Sequence, residues 1–461
     1  MDAEGRHLLS EAFEVEHREC IQRLRKVTSG LPVTTHRHAR HRSHKAVSWR
    51  ASSTCPPAPL PVSSPLGLYV HVPYCRQRCS YCDFYFVTGQ KSPAPFLAAV
   101  KEEIAHYADR YGDKVQADTI YIGGGTPSRL DLDETFALLD ALRTSFRIDE
   151  PLEVTFEVNP DDCTDDYLAG LRALGVDRLS LGVQSFFDAD LKWMNRAHTG
   201  KQAEAAIEGI HKAGFRTFSA DLIMGLPDQP EEYWQANVEK AVRLGVPHLS
   251  TYMLTVEEQT PLGNQVRRGL VTPASDGTFE RRFRFTMDYL RGQGFDHYEI
   301  SSFARPGHRA VHNHRYWDHV NYLGFGPSAH SFWWDTALRE HTLSAGGAER
   351  WSNLRSLTRY NALLGNHTLP VEERQRLTLD QLANEHLMLR LRTEDGVDLD
   401  RLLHVYGADL VMEKVDDLAA LEEAGMVTLR GGRLRLTDDG KMLADAVTER
   451  LMLRDPAPRR R

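Results

Sequence analysis

Three of the chain's six cysteines, Cys75, Cys79 and Cys82, fall within eight residues of the stretch YVHVPYCRQRCSYCDFYF (Tyr69 to Phe86), and no fourth follows. Thiolates so close together are metal ligands before they are anything else. Structural zinc normally fills four positions, usually from two paired knuckles, and here Asp83-Phe84 stands where another ligand would be needed. A cubane iron–sulfur cluster takes one cysteine per iron, so three thiolates leave one iron with an open coordination site, where chemistry can occur. Fully extended, Cys75 to Cys82 would stretch about 25 Å, so the segment must curl into an irregular loop to bring three sulfurs to one cluster. The plainer alternatives are a zinc-like site and a coincidental grouping. The remaining cysteines, Cys20, Cys55 and Cys163, are scattered and do not suggest a disulfide framework; the grouped three point to a metal in a reducing compartment.

Such a loop needs a scaffold. From Leu66 onward short runs rich in β-branched residues, LYVHV, TIYIGGG, LEVTFEV, DRLSLGV, RTFSADLI, HLSTYML and HYEISS, alternate with helical patterns. In the first helix Ser92 can cap, Pro93 suits the first turn, and Phe96, Val100, Ile104 and Tyr107 share a face. Alternation of this kind predicts an α/β fold with parallel strands and crossover helices. Six or seven units between Leu66 and Phe303 are too few for an eight-stranded barrel of about 250 residues. Unusual residues end nearly every strand: the cysteines, then GGGTP (Gly123 to Pro127), EVNP (Glu157 to Pro160), GVQS (Gly182 to Ser185) and DLIMGLP (Asp221 to Pro227). Polar and glycine residues at successive strand C-termini are what a barrel's active face requires, whereas a dinucleotide fold concentrates its glycines after the first strand. The expected fold is therefore a partial, open TIM-like barrel of (β/α)6 type.

Residues 1–65 differ from the rest. THRHARHRSHK (Thr35 to Lys45) and ASSTCPPAPLPVSSP (Ala51 to Pro65) lack core-forming periodicity and read as a disordered leader; the histidine tract could bind metal or heme, but such tracts are commonly solvated. The partial barrel is expected over 66–305, a connecting region with HNHRYW and YLGFGPSAHSF over 306–376, and a mostly helical, winged-helix-like module over 377–455. The module is predicted to end in a hairpin turning at Gly431-Gly432, and residues 456–461 form a tail. The module's acidic helices, with Glu394, Asp395, Asp398, Asp400, Asp416, Asp417, Glu422 and Glu423, are a poor surface for phosphates and favour a packing lid over a nucleic-acid reader. A net charge of -8 offers no global pull toward nucleic acid or anionic membrane. With no long apolar run and no secretory h-region, the expected location is cytoplasmic.

C-x3-C-x2-C with an aromatic, Tyr81, before the last cysteine resembles the signature of radical S-adenosylmethionine (radical SAM) proteins. The resemblance covers the chain from about Leu66 to the C-terminal module. It implies that the amino and carboxylate groups of SAM chelate the fourth iron of a [4Fe-4S] cluster, whose electron can cleave SAM to a 5′-deoxyadenosyl radical. It implies cluster ligation by Cys75, Cys79 and Cys82, and SAM contacts at Tyr69, Tyr81, Gly124, Gly125, Thr126, Glu157, Gln184, Arg196 and Asp221. Within that group the chain is similar to the oxygen-independent coproporphyrinogen III oxidases and to the HemW-type heme chaperones. The oxidase pattern has a further cysteine two residues after the third; this chain has Cys82-Asp83-Phe84, the chaperone pattern. HNHRYW matches the chaperones' H-N-x-x-Y-W at His312, Asn313, Tyr316 and Trp317, which implies heme binding at His312; His314 and His330 are further ligand candidates that the motif does not separate.

The resemblance implies a heme chaperone that binds heme and a SAM-ligated [4Fe-4S] cluster and transfers heme to an acceptor, a respiratory heme protein among the candidates. The alternatives are the oxidase itself, a decarboxylase in porphyrin biosynthesis, and a heme-free radical SAM enzyme with another substrate. Whether the acceptor is membrane-associated and whether the chain forms a homodimer stay open.

Overall fold

In the computed structural model, which describes residues 66–89, 92–112, 115–148, 151–334 and 347–453, each of the seven runs expected as strands is a strand. The leader, its histidine tract and the tail lie outside the described residues. The first six strands are β1 (Leu66–Val72), β2 (Ala117–Gly124), β3 (Glu153–Val158), β4 (Arg178–Gln184), β5 (Thr217–Met224) and β6 (His248–Met253). They pair in chain order, every neighbour parallel. The run HYEISS is not a seventh parallel unit. It supplies β7 (Asp296–Glu299) and the start of β8 (Ser302–Ala304), an antiparallel pair whose β8 runs antiparallel to β6.

On the other side of β1 the sheet continues through β9 (Asn321–Phe325), β10 (His330–Trp334), β11 (Ala348–Asn353) and β12 (Val371–Leu377). β7 and β12 are its two ends, so the twelve-stranded sheet does not close. Among the described residues no helix is long and apolar enough to cross a membrane.

Strand alternation sorts the parallel sheet into two faces. Leu68, Val70, Ile120, Ile122, Phe156 and Leu181 pack under the crossover helices in one large core. Phe96, Val100, Ile104 and Tyr107 of the helix Ala94–Tyr111 belong to that core, as their spacing requires. The helix starts one residue later than the sequence suggests: Pro93 is its cap residue, and the Ser92 hydroxyl accepts from the Ala94 N–H at 3.3 Å. The opposite face is polar. Tyr69, Tyr121, Glu157, Ser180 and Asp221 touch one another there, where a closed barrel would carry branched apolar layers.

The C-terminal module opens with the helix Leu379–Leu391 and carries a small antiparallel sheet of β13 (Val397–Asp398), β15 (Arg433–Leu436) and β14 (Val427–Arg430). β14 and β15 form the expected hairpin; Gly431 and Gly432, at φ 58° and 73°, take the left-handed conformation a tight primed turn needs. The module shares a core with Ile300, Phe332, Ala348 and Leu377 of the main sheet.

Candidate cluster and cofactor site

The cysteine loop leaves β1 at the edge where the parallel strands end, and backbone hydrogen bonds hold its curl. Cys75 N–H donates to Val87 O at 3.0 Å and Val87 N–H to Pro73 O at 2.7 Å, closing the base of the loop. Its far side is tied to later strand ends by Ser80 N–H to Met194 O (3.1 Å), Leu262 N–H to Ser80 O (2.9 Å) and Asn195 Nδ2 to Arg78 O (2.7 Å). Arg76 pairs with Asp161 and Asp162 after β3 at 3.0 and 2.9 Å. His71, the next-to-last residue of β1, shares a hydrogen bond with Tyr85 O at 2.8 Å.

Cys75, Cys79 and Cys82 are free thiols, each half-buried. Burial pushes the Cys75 thiol up to about 11 and the Cys82 thiol up to about 12, so ligating a metal must displace protons. Two of the three sulfurs already accept hydrogen bonds, from Thr126 Oγ1 to Cys75 Sγ and from Arg196 Nη1 to Cys79 Sγ, both at 3.5 Å. Among the described residues no group of three or more His, Cys, Asp and Glu side chains could hold a single metal ion. A cluster that gives each thiolate its own iron requires no such point.

Beside the loop lies a wall of residues expected, from the resemblance, to contact SAM. Gly124 has φ +112°, and a Cβ on it would lie 2.7 Å from His71 Nδ1; a Cβ on Gly125 would meet the Tyr74 carbonyl oxygen at 2.9 Å. Only glycine lets the backbone sit this close. The Gly124 N–H donates to Glu157 Oε2 at 3.0 Å and the Tyr121 hydroxyl to Glu157 Oε1 at 2.7 Å. Burial lifts the Glu157 carboxyl to about 7; its two donors oppose the shift and nearby Asp221 adds to it. Gln184 sits at a register shift between β4 and β5 with φ 64°, a strained conformation that turns its side chain out of the ladder. Tyr81 packs against the apolar group of Leu191, Met194, Ile223 and Leu226, and Tyr69 stands beside Tyr121 at 6.0 Å between ring centres.

Three buried atoms on this wall, Gln184 Oε1, Asp221 Oδ1 and Arg196 Nε, have no hydrogen-bond partner among the described residues. An unmet buried polar atom costs about 1–3 kcal/mol, so a ligand bringing donors and acceptors of its own relieves a real penalty. Carboxylates at Glu157 and Asp221 suit a cationic sulfonium compound. The donor set and the wall both fit a three-cysteine cluster with SAM beside it.

His312 lies at the foot of this wall, its ring 5.1 Å from that of Tyr121. It is the second residue of the helix Val311–Trp317 and is buried; Thr119 Oγ1 lies 2.9 Å from Nδ1 and Tyr316 OH 3.0 Å from Nε2, so both ring nitrogens are engaged. Glu153 of β3 accepts from the N–H groups of Val311 and His312, each at 2.9 Å, and fixes the helix start. Burial, then the neighbouring Arg315, holds the His312 imidazole down at about 3, hence neutral. At the other end Trp317 packs with Met388 and Leu389 of the C-terminal module, and Arg390 binds Asp318 at 2.6 Å. The structure therefore brings the cysteines, Thr126, Glu157, Gln184, Arg196 and Asp221 to one strand edge and places His312 behind Tyr121, the residue whose hydroxyl donates to Glu157. His314 is partly buried against Tyr298, and His330 begins β10.

The sequence reasoning passed over His71, Asn159 and the Asp161-Asp162 pair. Asn159 stands inside the EVNP motif, and a histidine two residues from a tyrosine on one strand face was the visible signal for His71.

Comparison with known proteins agrees with this geometry. Residues 69–256 match the radical SAM superfamily and residues 377–443 the HemN C-terminal domain. A protein of Mycobacterium tuberculosis named heme chaperone HemW is 36% identical over 400 residues, covering 86% of this chain and 96% of its own. The chain belongs to the HemW family of radical SAM proteins. A HemW of Bacillus subtilis is 31% identical over 82% of this chain and 97% of its own. The mouse mitochondrial radical S-adenosyl methionine domain-containing protein 1 is 32% identical over 85% of this chain and 88% of its own. Among solved structures, the HemN coproporphyrinogen III oxidase of Escherichia coli aligns with a TM-score of 0.72 at 22% identity, over 85% of this chain and 90% of that one. At that identity the likeness establishes the shared open-barrel fold of HemW and HemN and nothing about activity.

Proposed function

We propose that this chain is a heme chaperone: it carries a SAM-ligated [4Fe-4S] cluster on Cys75, Cys79 and Cys82, takes up heme at the helix Val311–Trp317, and passes it to an acceptor protein. The observation that carries the reading is the likeness, over more than four-fifths of this chain, to proteins named as heme chaperones. At the site itself Phe84, 61% exposed, occupies the position of the oxidase pattern's additional cysteine.

When bound, the cluster supplies one-electron chemistry and an iron open to the amino and carboxylate groups of SAM. The chain's own residues do the rest. Gly124 and Gly125 would admit the cofactor against bare backbone, Glu157 and Asp221 would suit its positive charge, and Arg196 would offer Nε. The neutral His312 ring needs no proton removed to bind iron; a porphyrin iron at Nε2 would have to replace the Tyr316 hydroxyl.

The oxidase reading draws on the shared fold. Its substrate brings four propionates, and the polar face meets them with Glu157 and Asp221, while Arg178 is spent on Glu153 at 3.8 Å and on the His308 carbonyl at 3.1 Å. The deciding experiment is anaerobic reconstitution followed by separate titrations with hemin and coproporphyrinogen III. The chaperone reading expects a Soret band on adding hemin, at least tenfold weaker binding in His312→Ala, and no protoporphyrinogen. Product formation with an intact cluster would replace it with the oxidase, and unchanged hemin affinity in His312→Ala would move the heme site elsewhere.

A further inference from the structure

Asn159 stands at the start of a single-turn helix, Pro160–Asp162, where an asparagine ordinarily caps with its own side chain. Here it makes no cap. Its backbone N–H is held by Ser128 Oγ at 3.2 Å, and its side chain spans two residues that each touch a cysteine. Oδ1 accepts from Arg196 Nη2 at 2.7 Å, and Nδ2 lies 3.3 Å from Thr126 Oγ1. Arg196 in turn donates from Nη1 to Cys79 Sγ, and Thr126 donates to Cys75 Sγ.

The direction of every bond in this array is fixed by chemistry. Guanidinium has only donors, so the Asn159 oxygen must face Arg196 and its NH2 must face Thr126. With an N–H pointing at its oxygen, the Thr126 hydroxyl cannot donate back to Asn159, and its proton is committed to the sulfur of Cys75. Gly182 makes room for the arrangement: its carbonyl accepts from Arg196 Nη2 at 3.0 Å, and a Cβ there would lie 3.1 Å from that nitrogen and 3.2 Å from Asn159 Oδ1.

We propose that Asn159 is a positioning residue for the cluster: one amide orders Thr126 and Arg196 so that two of the three thiolates each receive a hydrogen bond. The proposal rests on the reading that Cys75, Cys79 and Cys82 hold a [4Fe-4S] cluster, and not on heme. Reduction by one electron adds negative charge to the cluster and its sulfurs, and donors aimed at the sulfurs stabilise the reduced form. Asn159 therefore sets the cluster's reduction potential without touching it.

The test is the midpoint potential of the anaerobically reconstituted full chain, read by EPR during titration with dithionite. Asn159→Asp keeps shape and the Arg196 partner but presents an acceptor to Thr126, drawing its proton away from Cys75. It should lower the potential so that the ratio of reduced to oxidised cluster at fixed potential falls about tenfold, which for a one-electron couple is about 59 mV. Thr126→Val should shift it in the same direction, Thr126→Ser should restore it, and Asn159→Asp added to Thr126→Val should add little. Wild-type potentials in both Asn159→Asp and Thr126→Val at full iron content would overturn the proposal. If Asn159→Asp takes up no iron, the Thr126 pair decides alone: equal potentials for Val and Ser overturn it, a Ser rescue supports it. Failure of the underlying reading would look different, as a wild-type chain without iron–sulfur absorbance.

Discussion

Gly124 shows how much a single position can hold. Its left-handed φ of +112° brings its N–H to Glu157 and leaves no room for a Cβ beside the His71 ring, the same ring that anchors Tyr85 of the cysteine loop. Gly124→Ala should therefore cost about 1–3 kcal/mol through backbone strain and disturb loop and wall together. The expected readouts are a lower melting temperature and at least tenfold weaker SAM binding by calorimetry. Tight SAM binding in a fully loaded variant would show that the wall tolerates the methyl group.

Glu103 poses a different problem, one of stability. It is fully buried in the helix Ala94–Tyr111, and it accepts from Gly326 N–H at 2.9 Å, Asn353 Nδ2 at 2.7 Å and the Tyr360 hydroxyl. Burial raises its carboxyl to about 7, against the opposing pull of the three donors. The native state then holds a proton that the unfolded chain releases near the ordinary glutamate value, so Glu103 favours folding most below about pH 4.5 and loses that contribution as the pH rises through 7. Over that window the loss is on the order of 3 kcal/mol. Urea melts at pH 5 and pH 8 should show the wild-type chain losing ground relative to Glu103→Gln; a constant difference between the two proteins would rule the titration out.

At the scale of elements, the helix Val311–Trp317 carries the proposed heme site, and what clamps it would govern heme's access. Glu153 and Thr119 hold its first turn to the barrel, while Arg390, bound to Asp318 and at 3.2 Å to Asp395, holds its last turn to the C-terminal module. The sequence suggested a packing lid, and the element it packs on is the one carrying HNHRYW. Arg390→Ala removes the ionic part of that clamp and leaves His312 intact. Several-fold faster hemin association in stopped flow is expected, with greater hydrogen exchange over 311–317; an unchanged association rate would mean that the module does not gate entry.

For the whole molecule, the question is what keeps module and sheet together. Arg350 of β11 meets Glu385 of the module's first helix with two hydrogen bonds, at 3.0 and 2.7 Å, both side chains buried. Removing one partner of such a pair strands the other charge and typically costs about 3–5 kcal/mol. Arg350→Met should accordingly lower the melting temperature and increase hydrogen exchange in 379–391 and 433–436 ahead of the barrel strands. A melt indistinguishable from wild type would show that the shared apolar core around Phe332 and Leu377 suffices.

The local chemistry was legible in the order of residues. Three cysteines without a fourth, glycines and acids ending successive strands, and helical spacing in Phe96, Val100, Ile104 and Tyr107 each act through near neighbours, so spacing alone specified an α/β open barrel with its special residues at one edge. Contacts between distant segments were not legible, because no periodicity encodes them. That HYEISS would turn back into an antiparallel pair, that Asn159 would reach from β3 to two cysteine partners, and that His312 would lie buried with both nitrogens engaged were settled by which surfaces met once the sheet had formed. Side-chain hydrogen bonds over more than thirty residues of chain, such as Asn159 to Arg196 and Arg390 to Asp318, depend on orientation as well as proximity, and only the tertiary structure supplies both.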